Sequence, residues 1–486
     1  MVIPEDTIGI FPALVVFISV PARLVWLLSL FAVSGWAPAA VEISNLADYQ
    51  VIQRDGDGAR LVLRGTVASS GELYLTIRRG GSALPGLSGI RIADVSIGPW
   101  KASLPPIPAG GPYLVEISLA AGAATLGRVT ARQVLVGDLW VLAGQSNMVG
   151  RALLEGVEEP DDQVNVLRGD SSWALAREPL HESRTGPAGP IGAGLGLSFA
   201  KDMVRRTGIP IGLIPCAVGG TSLWQWEPGQ KLYTNMLARV RAAGGRVQGL
   251  LWYQGEADAR TDRLTEYGDR FRAFVSQLRA DFNDPKLPFY FAQIGRYAAP
   301  EAPPRTAHAQ GVMREVQRLS EPALPRAAMA ATLDLEMQDH VHVNTAGLRR
   351  LGARFARLAC KDLFPLAPTC RDLQYGPRPA AYHWEAPRRL RVTFTGVNGS
   401  LVSGGRVLGF SLHDSMMRTQ PLYYRAWIPP SPGNQVILEL HPLAEIPQPL
   451  HLWYGYGADP PCNLRDMQDM AVPGFGPVEL PALKAN

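Results

Sequence analysis

The sequence predicts an α/β protein: a doubly wound, mostly parallel sheet with helices on both faces, flanked by N- and C-terminal β-sandwich-like domains. Three observations carry this. Between residues 133 and 365, apolar runs of strand length alternate with segments whose apolar residues recur at helical spacing, the pattern of right-handed βαβ crossovers. Before and after that stretch the runs are short, alternate apolar with polar, and are divided by turn clusters, as antiparallel sheets require. Residues with chemical potential stand where strands of the central stretch end, the edge at which parallel sheets bind ligands.

The chain opens with two apolar stretches, 8–20 and 24–33, separated by Pro21 and Arg23 and followed by Ala37-Pro38-Ala39-Ala40. A basic residue, an apolar run and a small-residue exit are the parts of a secretory signal, so residues 1–39 read as a signal peptide cleaved after Ala39. Glu5 and Asp6 are acidic where a signal should be basic, and a translation start nearer Val20 accounts for them. The rival reading is an uncleaved membrane anchor; Pro12 and Pro21 argue against it. The protein is therefore expected outside the cytoplasm, periplasmic or extracellular, with no stable membrane span once the signal is gone. Cys216, Cys360, Cys370 and Cys462 form no CxxC pair and allow three disulfide pairings.

Residues 40–132 hold runs such as Leu73-Tyr74-Leu75-Thr76-Ile77, broken by Asp55-Gly56-Asp57-Gly58 and Arg79-Gly80-Gly81, and are assigned to an N-terminal β domain. Residues 133–365 form the catalytic unit. A strand over 134–142 leads into Gly144-Gln145-Ser146-Asn147-Met148, and helix 193–206 precedes strand 209–217, which ends in Val218-Gly219-Gly220-Thr221. Helix 231–241 and strand 247–253 follow. Leu264, Tyr267, Phe271, Phe274, Val275 and Leu278 then fall on one helical face. Strand 289–294 and a helix after Thr345 complete the unit. The proline-rich stretch 366–381 reads as a linker, and 382–486, with strand patterns at 390–394, 436–440 and 450–454, as a C-terminal β domain.

With 486 residues, 47% of them hydrophobic and 19% charged, the chain is neither disordered nor a polytopic membrane protein. Forty-seven basic residues against 43 acidic ones give +4, no electrostatic footprint for nucleic acid. The chemistry lies in three strand ends. Ser146, in a glycine turn between strand and helix, is exposed to attack a carbonyl, with backbone N–H groups around it for an oxyanion. Asp339 stands three residues before His342, within reach of its Nδ1, which leaves Nε2 free for a serine proton. A metal site on His340 and His342 ranks below this, since no further Cys/His cluster completes it. Gly219, Gly220 and the Gln254 amide are read as oxyanion donors beside the Ser146 N–H. Gln145, Asn147, Trp226 and Glu256 are placed on the substrate side, with Trp226 stacking on a sugar ring and Glu256 orienting its neighbours.

These blocks resemble the SGNH hydrolases, and within them the sialate O-acetylesterase family with its acetylxylan-esterase-like relatives. Gly144-Gln145-Ser146-Asn147-Met148 is similar to the nucleophile block, Gly219-Gly220-Thr221 with Trp226 to the second, Trp252-Tyr253-Gln254-Gly255-Glu256 to the third, and Asp339 with His342 to the closing Asp-x-x-His. Val51-Ile52-Gln53-Arg54-Asp55, Leu104-Pro105-Pro106 and Ala109-Gly110-Gly111-Pro112-Tyr113 resemble the N-terminal β domain of bacterial members, and Pro461-Cys462-Asn463-Leu464 their C-terminal one. The family has proline after its histidine; Val343 stands here, and Asn344-Thr345-Ala346-Gly347 is closer to the acetylxylan relatives.

The resemblance implies an SGNH-type fold and hydrolysis of a sugar O-acetyl ester. Ser146 is the implied nucleophile, His342 the base, Asp339 its orienter, and neither metal nor organic cofactor takes part. The implied partner is an acetylated carbohydrate, sialic acid first because both flanking domains match that branch, with acetylxylan or another glycan as the alternative. A non-catalytic carbohydrate-binding protein and a structural cell-surface protein are the readings from other classes.

Overall fold

The structure, a computed structural model, describes residues 40–182, 191–260, 264–299 and 304–482; the segment 1–39 read as a signal lies outside the described residues. The central sheet contains β1 (Ala124–Gly144), β2 (Val164–Leu167), β3 (Trp173–Leu175), β4 (Ile211–Pro215), β5 (Gly249–Tyr253), β6 (Phe289–Ala292) and β7 (Ala327–Ala330). Across the sheet they run β3-β2-β4-β1-β5-β6-β7, parallel everywhere except the β2–β3 edge pair. The helices are α1 (Ser146–Val149), α2 (Gly196–Thr207), α3 (Lys231–Ala242), α4 (Tyr267–Asp281), α5 (Pro304–Ser320) and α6 (Thr345–Leu363).

Why residues 139–143 of β1 are apolar without a break follows from what covers them. Trp140 and Leu142 face α2 and α6, packing with Phe199, Leu351 and Phe355. Leu139, Val141 and Ala143 face the other way, onto Met236 of α3 and Phe271 and Phe274 of α4. Successive side chains of a strand alternate faces, so a sheet covered on both sides needs apolar residues at every position. With β4 on one side of β1 and β5 on the other, the crevice of this sheet opens at the carboxyl end of β1.

A single strand joins two sheets. The first half of β1 pairs antiparallel with Gly110–Ala121, and from Asp138 onward it pairs parallel with β4. The change of texture at Gln133 falls inside this strand, at a residue with φ +56°. In the N-terminal region, Val41–Ile43, Val62–Val67 and Gly98–Ser103 form one sheet. Its Leu63 and Trp100 pack against Leu75 and Ile117 of the other. The C-terminal region holds two four-stranded antiparallel sheets enclosing Val392, Leu438, Leu452 and Phe475.

The stretch 366–381 is not a free tether. Cys370 and Leu373 are buried in the α6 core, and Arg378 opens strand Arg378–Ala386 while pairing with Glu321 at 2.7 Å. All four cysteines are free thiols.

Candidate active site

At the end of β1, Gly144 has φ +127°, and a Cβ there would lie 2.2 Å from the Tyr253 carbonyl. Only glycine lets β1 and β5 approach so closely. The next residue, Gln145, donates its N–H to that carbonyl at 2.8 Å and caps α1, its own carbonyl accepting from Met148 and Val149. Ser146 is thereby the first residue of a one-turn helix at the sheet's carboxyl edge. The Val218 N–H bonds the Gly144 carbonyl at 3.0 Å and draws the Gly219–Gly220 turn to the same place.

Asp339 and His342 sit on a tight loop closed by the Met337–Val343 bridge and by hydrogen bonds from Asn344 N–H to the Glu336 carbonyl (2.9 Å) and from Gln338 N–H to the His342 carbonyl (2.6 Å). The Asp339 carboxylate accepts the Val341 and His342 N–H groups on Oδ1, both at 2.8 Å, and lies 2.7 Å from His342 Nδ1 with Oδ2. Burial raises the pKa of this carboxyl, but hydrogen bonds from the His342 ring and the two N–H groups outweigh it and hold it below the usual aspartate value. An ionised Asp339 fixes the proton on Nδ1 and leaves Nε2 as acceptor. His340 turns away, its ring 5.8 Å from Tyr297. Among the described residues no group of three or more His, Cys, Asp or Glu is arranged to hold a metal ion.

Asn147 joins these two parts. Its Nδ2 donates to Glu256 Oε1 at 2.8 Å and to the Val341 carbonyl at 3.2 Å, and its Oδ1 accepts the Val343 N–H at 3.0 Å. Both peptide groups flanking His342 are thus held by the residue after Ser146. This corrects the substrate-binding role read for Asn147: its side chain is buried and fully engaged. Gln145 is also buried, and its Oε1 accepts from Gly255 N–H, Ala257 N–H and Gln254 Nε2 at 3.3–3.4 Å. Glu256 orients Asn147 instead of reaching outward.

Two further expectations do not survive. The Gln254 amide is fully buried and donates to Asp258 Oδ2 at 2.6 Å and the Thr221 carbonyl at 3.1 Å. Both of its hydrogens are engaged, so it braces the turn after β4 and leaves no donor for an oxyanion. Trp226 is also fully buried, its Nε1 donating to Thr221 Oγ1 at 3.0 Å and its ring edge-on to Trp252. In the short 3₁₀ turn Leu223–Trp226, alternate residues point apart, and Trp224, 46% exposed, is the aromatic turned to solvent.

Sequence reading missed two buried organisers. Asp258 receives both the Gln254 amide and the Leu223 N–H, the latter at 2.8 Å. His181 accepts the Ala217 N–H on Nε2 at 3.3 Å, and its ring also bonds the Val149 carbonyl. Burial, with the Arg239 charge adding to it, drives its pKa down to about 3, so a neutral imidazole ties α1 to the turn after β4. Neither residue lies in a motif, and no local signal marks them. A cavity of about 440 Å³ beside Gly219 is lined by Arg151, His181, Glu182, Lys231 and Arg239.

Residues 136–361 match the family described as carbohydrate esterase, sialic acid-specific acetylesterase. A probable carbohydrate esterase of Arabidopsis thaliana is 35% identical over 172 residues, 31% of this chain and 66% of that protein. Sialate O-acetylesterase of Mus musculus is 22% identical over 384 residues, 60% of this chain and 67% of its own. The chain thus spans about two thirds of the length of these curated relatives. The crystal structure of a carbohydrate acetylesterase from Xanthomonas citri superposes with a TM-score of 0.64 at 25% identity, over 90% of this chain and 99% of that one.

Proposed function

Because residues 136–361 match the carbohydrate esterase, sialic acid-specific acetylesterase family, we propose that the protein is a carbohydrate O-acetylesterase of SGNH type that deacetylates sialic acids through a serine acyl-enzyme. The observation that carries the reading is the Asn147 link: it holds Ser146 beside the loop on which Asp339 meets His342 at 2.7 Å. Ser146 Oγ attacks the acetyl carbonyl while its proton passes to Nε2 of His342. The N–H of Ser146, without an intrahelical acceptor at the start of α1, joins N–H groups of the Gly219–Gly220 turn in receiving the oxyanion. The same imidazole returns its proton to the departing sugar oxygen. It then deprotonates the water that attacks the acyl-enzyme, so that acetate leaves and Ser146 regains its hydrogen. No step calls on a metal or an organic cofactor.

Charge supports the choice of sugar. Arg151, Lys231 and Arg239 outnumber Glu182 around the cavity beside Gly219, which favours a carboxylate-bearing sialic acid over a neutral xylan chain. Trp224 supplies the exposed ring face for the sugar. The run Asn344-Thr345-Ala346-Gly347, which resembles the acetylxylan relatives, is the feature that favours the acetylxylan alternative. We further assign residues 133–365 to the catalytic unit, 40–132 and 382–486 to the flanking β domains, and the protein to an exported compartment. Among the described residues no helix is long and apolar enough to cross a membrane.

The test is acetate release from O-acetylated sialic acid, acetylated xylan and a chromogenic acetyl ester, wild type beside Ser146→Ala. Release from sialic acid that vanishes in the variant is the expected result. Release from xylan alone would move the substrate and keep the mechanism. Equal release by the variant would remove Ser146 as nucleophile.

A further inference from the structure

The C-terminal sheets reach the base loop by two routes, and neither passes through substrate. The first starts at Arg314 of α5, fully buried, whose guanidinium bonds five backbone carbonyls. Two belong to the segment after β6, Ile294 at 3.4 Å and Gly295 at 2.7 Å. Three belong to the C-terminal region: Gly455 at 3.0 Å, Gly457 at 2.6 Å and Ala458 at 3.1 Å. Gln293 repeats the link, exchanging two 2.8 Å hydrogen bonds with the backbone of Gly474. The strap so fixed runs on to Tyr297, whose N–H bonds the Ala458 carbonyl at 2.8 Å, and to Ala298, whose N–H bonds the His340 carbonyl at 2.7 Å. Its far end therefore grips the residue two before His342, with the Tyr297 ring set edge-on against His340.

The second route holds the root of the loop. Asp334, five residues before Asp339, pairs with Arg350 and Arg354 of α6, the helix that begins three residues after His342, each at 2.6 Å. The same two arginines hold Asp469 of the C-terminal region, Arg350 at 2.7 Å and Arg354 through the Asp469 carbonyl at 2.6 Å. The Arg350 and Arg465 hydrogen bonds and the Arg354 charge keep Asp469 well below the usual carboxylate range although burial raises it. Arg354 is itself fully buried and also bonds the Ala331 carbonyl at 2.7 Å. A buried cation shared by acids from two regions couples their positions, since moving one strands a charge.

We propose that the C-terminal β region is a positioning module for the general-base loop and not an appended sugar-targeting module, with Arg314 and Asp469 as its positioning residues. The proposal rests on His342 being the base. It separates from a targeting role because a positioning defect acts on every substrate, whereas a targeting defect spares a small ester that the module never holds. A hydrogen-bonded joint transmits position through backbone, so its loosening lowers the rate of the chemical step and leaves ground-state binding alone.

The experiment compares wild type, Asp469→Asn, Arg314→Met, Arg314→Lys and the surface control Arg418→Gln, all as full chains and assayed below their measured unfolding temperatures. Substrates are a chromogenic acetyl ester and an O-acetylated sialic acid, and the His342 ring is followed by NMR of ¹³C-histidine protein across pH. For Asp469→Asn and Arg314→Met, kcat should fall about tenfold or more on both substrates alike, with KM within about twofold. Arg314→Lys should recover part of the loss and Arg418→Gln should match wild type. The His342 titration should move in the two damaging variants. A normal kcat on the chromogenic ester with a loss confined to the sugar would overturn the proposal in favour of targeting. If wild type released no acetate from either ester, the esterase reading would fail, and the NMR arm would still decide: a His342 titration unchanged in both variants overturns the positioning role.

Discussion

Replacing Asn147 tests whether Ser146 and His342, the proposed nucleophile and base, are held as one unit. Asn147→Ala removes three contacts: the donations to Glu256 at 2.8 Å and to the Val341 carbonyl at 3.2 Å, and the acceptance from Val343 N–H at 3.0 Å. Two are neutral hydrogen bonds, worth about 0.5–1.5 kcal/mol each, and the bond to a carboxylate is worth about 1.5–3 kcal/mol, so the folded state should lose roughly 3–5 kcal/mol. The rate should fall further than stability requires, because both peptide groups beside His342 lose their anchor. A displacement of about 1 Å at the base costs on the order of a hundredfold in kcat. The assay is kcat and KM on a chromogenic acetyl ester, with denaturant unfolding measured on the same preparation.

Asn147→Asp sharpens the test, since the shape is kept and only hydrogens change. Oδ1 still accepts from Val343, but the other oxygen now faces the Glu256 carboxylate and the Val341 carbonyl without a hydrogen. A proton on the new carboxyl restores a donor, so desolvation and the neighbouring charge raise its pKa above the ordinary aspartate value. At low pH the variant holds that proton and approaches wild type. As pH rises the proton leaves, two carboxylates face each other, and the ratio of variant to wild-type kcat falls. Asn147→Ala should show no such slope. A kcat within about threefold of wild type in the folded alanine variant, where the misplacement argument calls for about a hundredfold, would refute the link, and a flat ratio for Asn147→Asp would refute the hydrogen-bond account of it.

Trp224→Ala should raise KM for the acetylated sugar about three- to tenfold, the scale of one lost aromatic contact, and leave the chromogenic ester unaffected; equal KM values for the sugar would remove the ring from the site. Glu178 accepts the Leu180 N–H at 3.2 Å, and burial pushes its carboxyl up from 4.5 to about 7 despite the N–H groups of Leu180 and Gly194. Its folded pKa exceeds its unfolded one, so stability is greatest below the unfolded value and declines as pH rises toward about 7, by at most about 3 kcal/mol. Glu178→Gln should abolish that decline and exceed wild type in urea midpoint at pH 8, whereas parallel midpoints at every pH would discard the buried-acid reading. Gly144→Ala would place a Cβ 2.2 Å from the Tyr253 carbonyl at a φ of +127°, and should cost several kcal/mol of stability; soluble, fully active protein would show that β1 tolerates a shift there.

The central sheet was legible because its physics is local. Residues 139–143 of β1 and the whole of β4, β5 and β6 are continuous apolar runs, and α4 and α6 carry apolar residues at every turn on one face. The elements that escaped had weak local signals. β2 is four residues with a buried Asn165 in its middle, tied to the carbonyl of Tyr49 at 2.7 Å. α5 holds Arg314 and Gln317 on its buried side, where a periodicity search looks for apolar residues. Those polar side chains bond backbone far away in sequence, and only the folded chain reveals the partner. The Asp339–His342 contact was readable because three residues of chain separate them. Trp226 and Trp224 could not be told apart, since which ring turns inward depends on Thr221 and Trp252 meeting it.

What the motifs encode differs from what a catalytic reading assigns them. Loops at the carboxyl edge of a buried sheet carry N–H and C=O groups with no ladder to join, and each must find a partner. Here the partners are Gln145, Asn147, Gln254, Glu256 and Asp258, all buried. The blocks around the serine and after β5 are therefore mostly scaffold, holding few atoms that touch a reacting group. Between the blocks, Trp224, Val218, Leu153 and Leu154 are large and exposed, Leu153 is bonded to Gln338 and Thr345 on either side of the Asp339–His342 loop, and on the proposed function these are the side chains offered to a sugar. On the proposed function, reaction type is fixed by segments whose composition the scaffold constrains, while sugar preference is assigned to segments that obey no such constraint. Exchanging the 153–154 and 218–224 surfaces should change the preferred acetyl-sugar without altering the ratio of wild type to Ser146→Ala on a small ester. A swap that lost both would mean that the rim, too, is part of the scaffold.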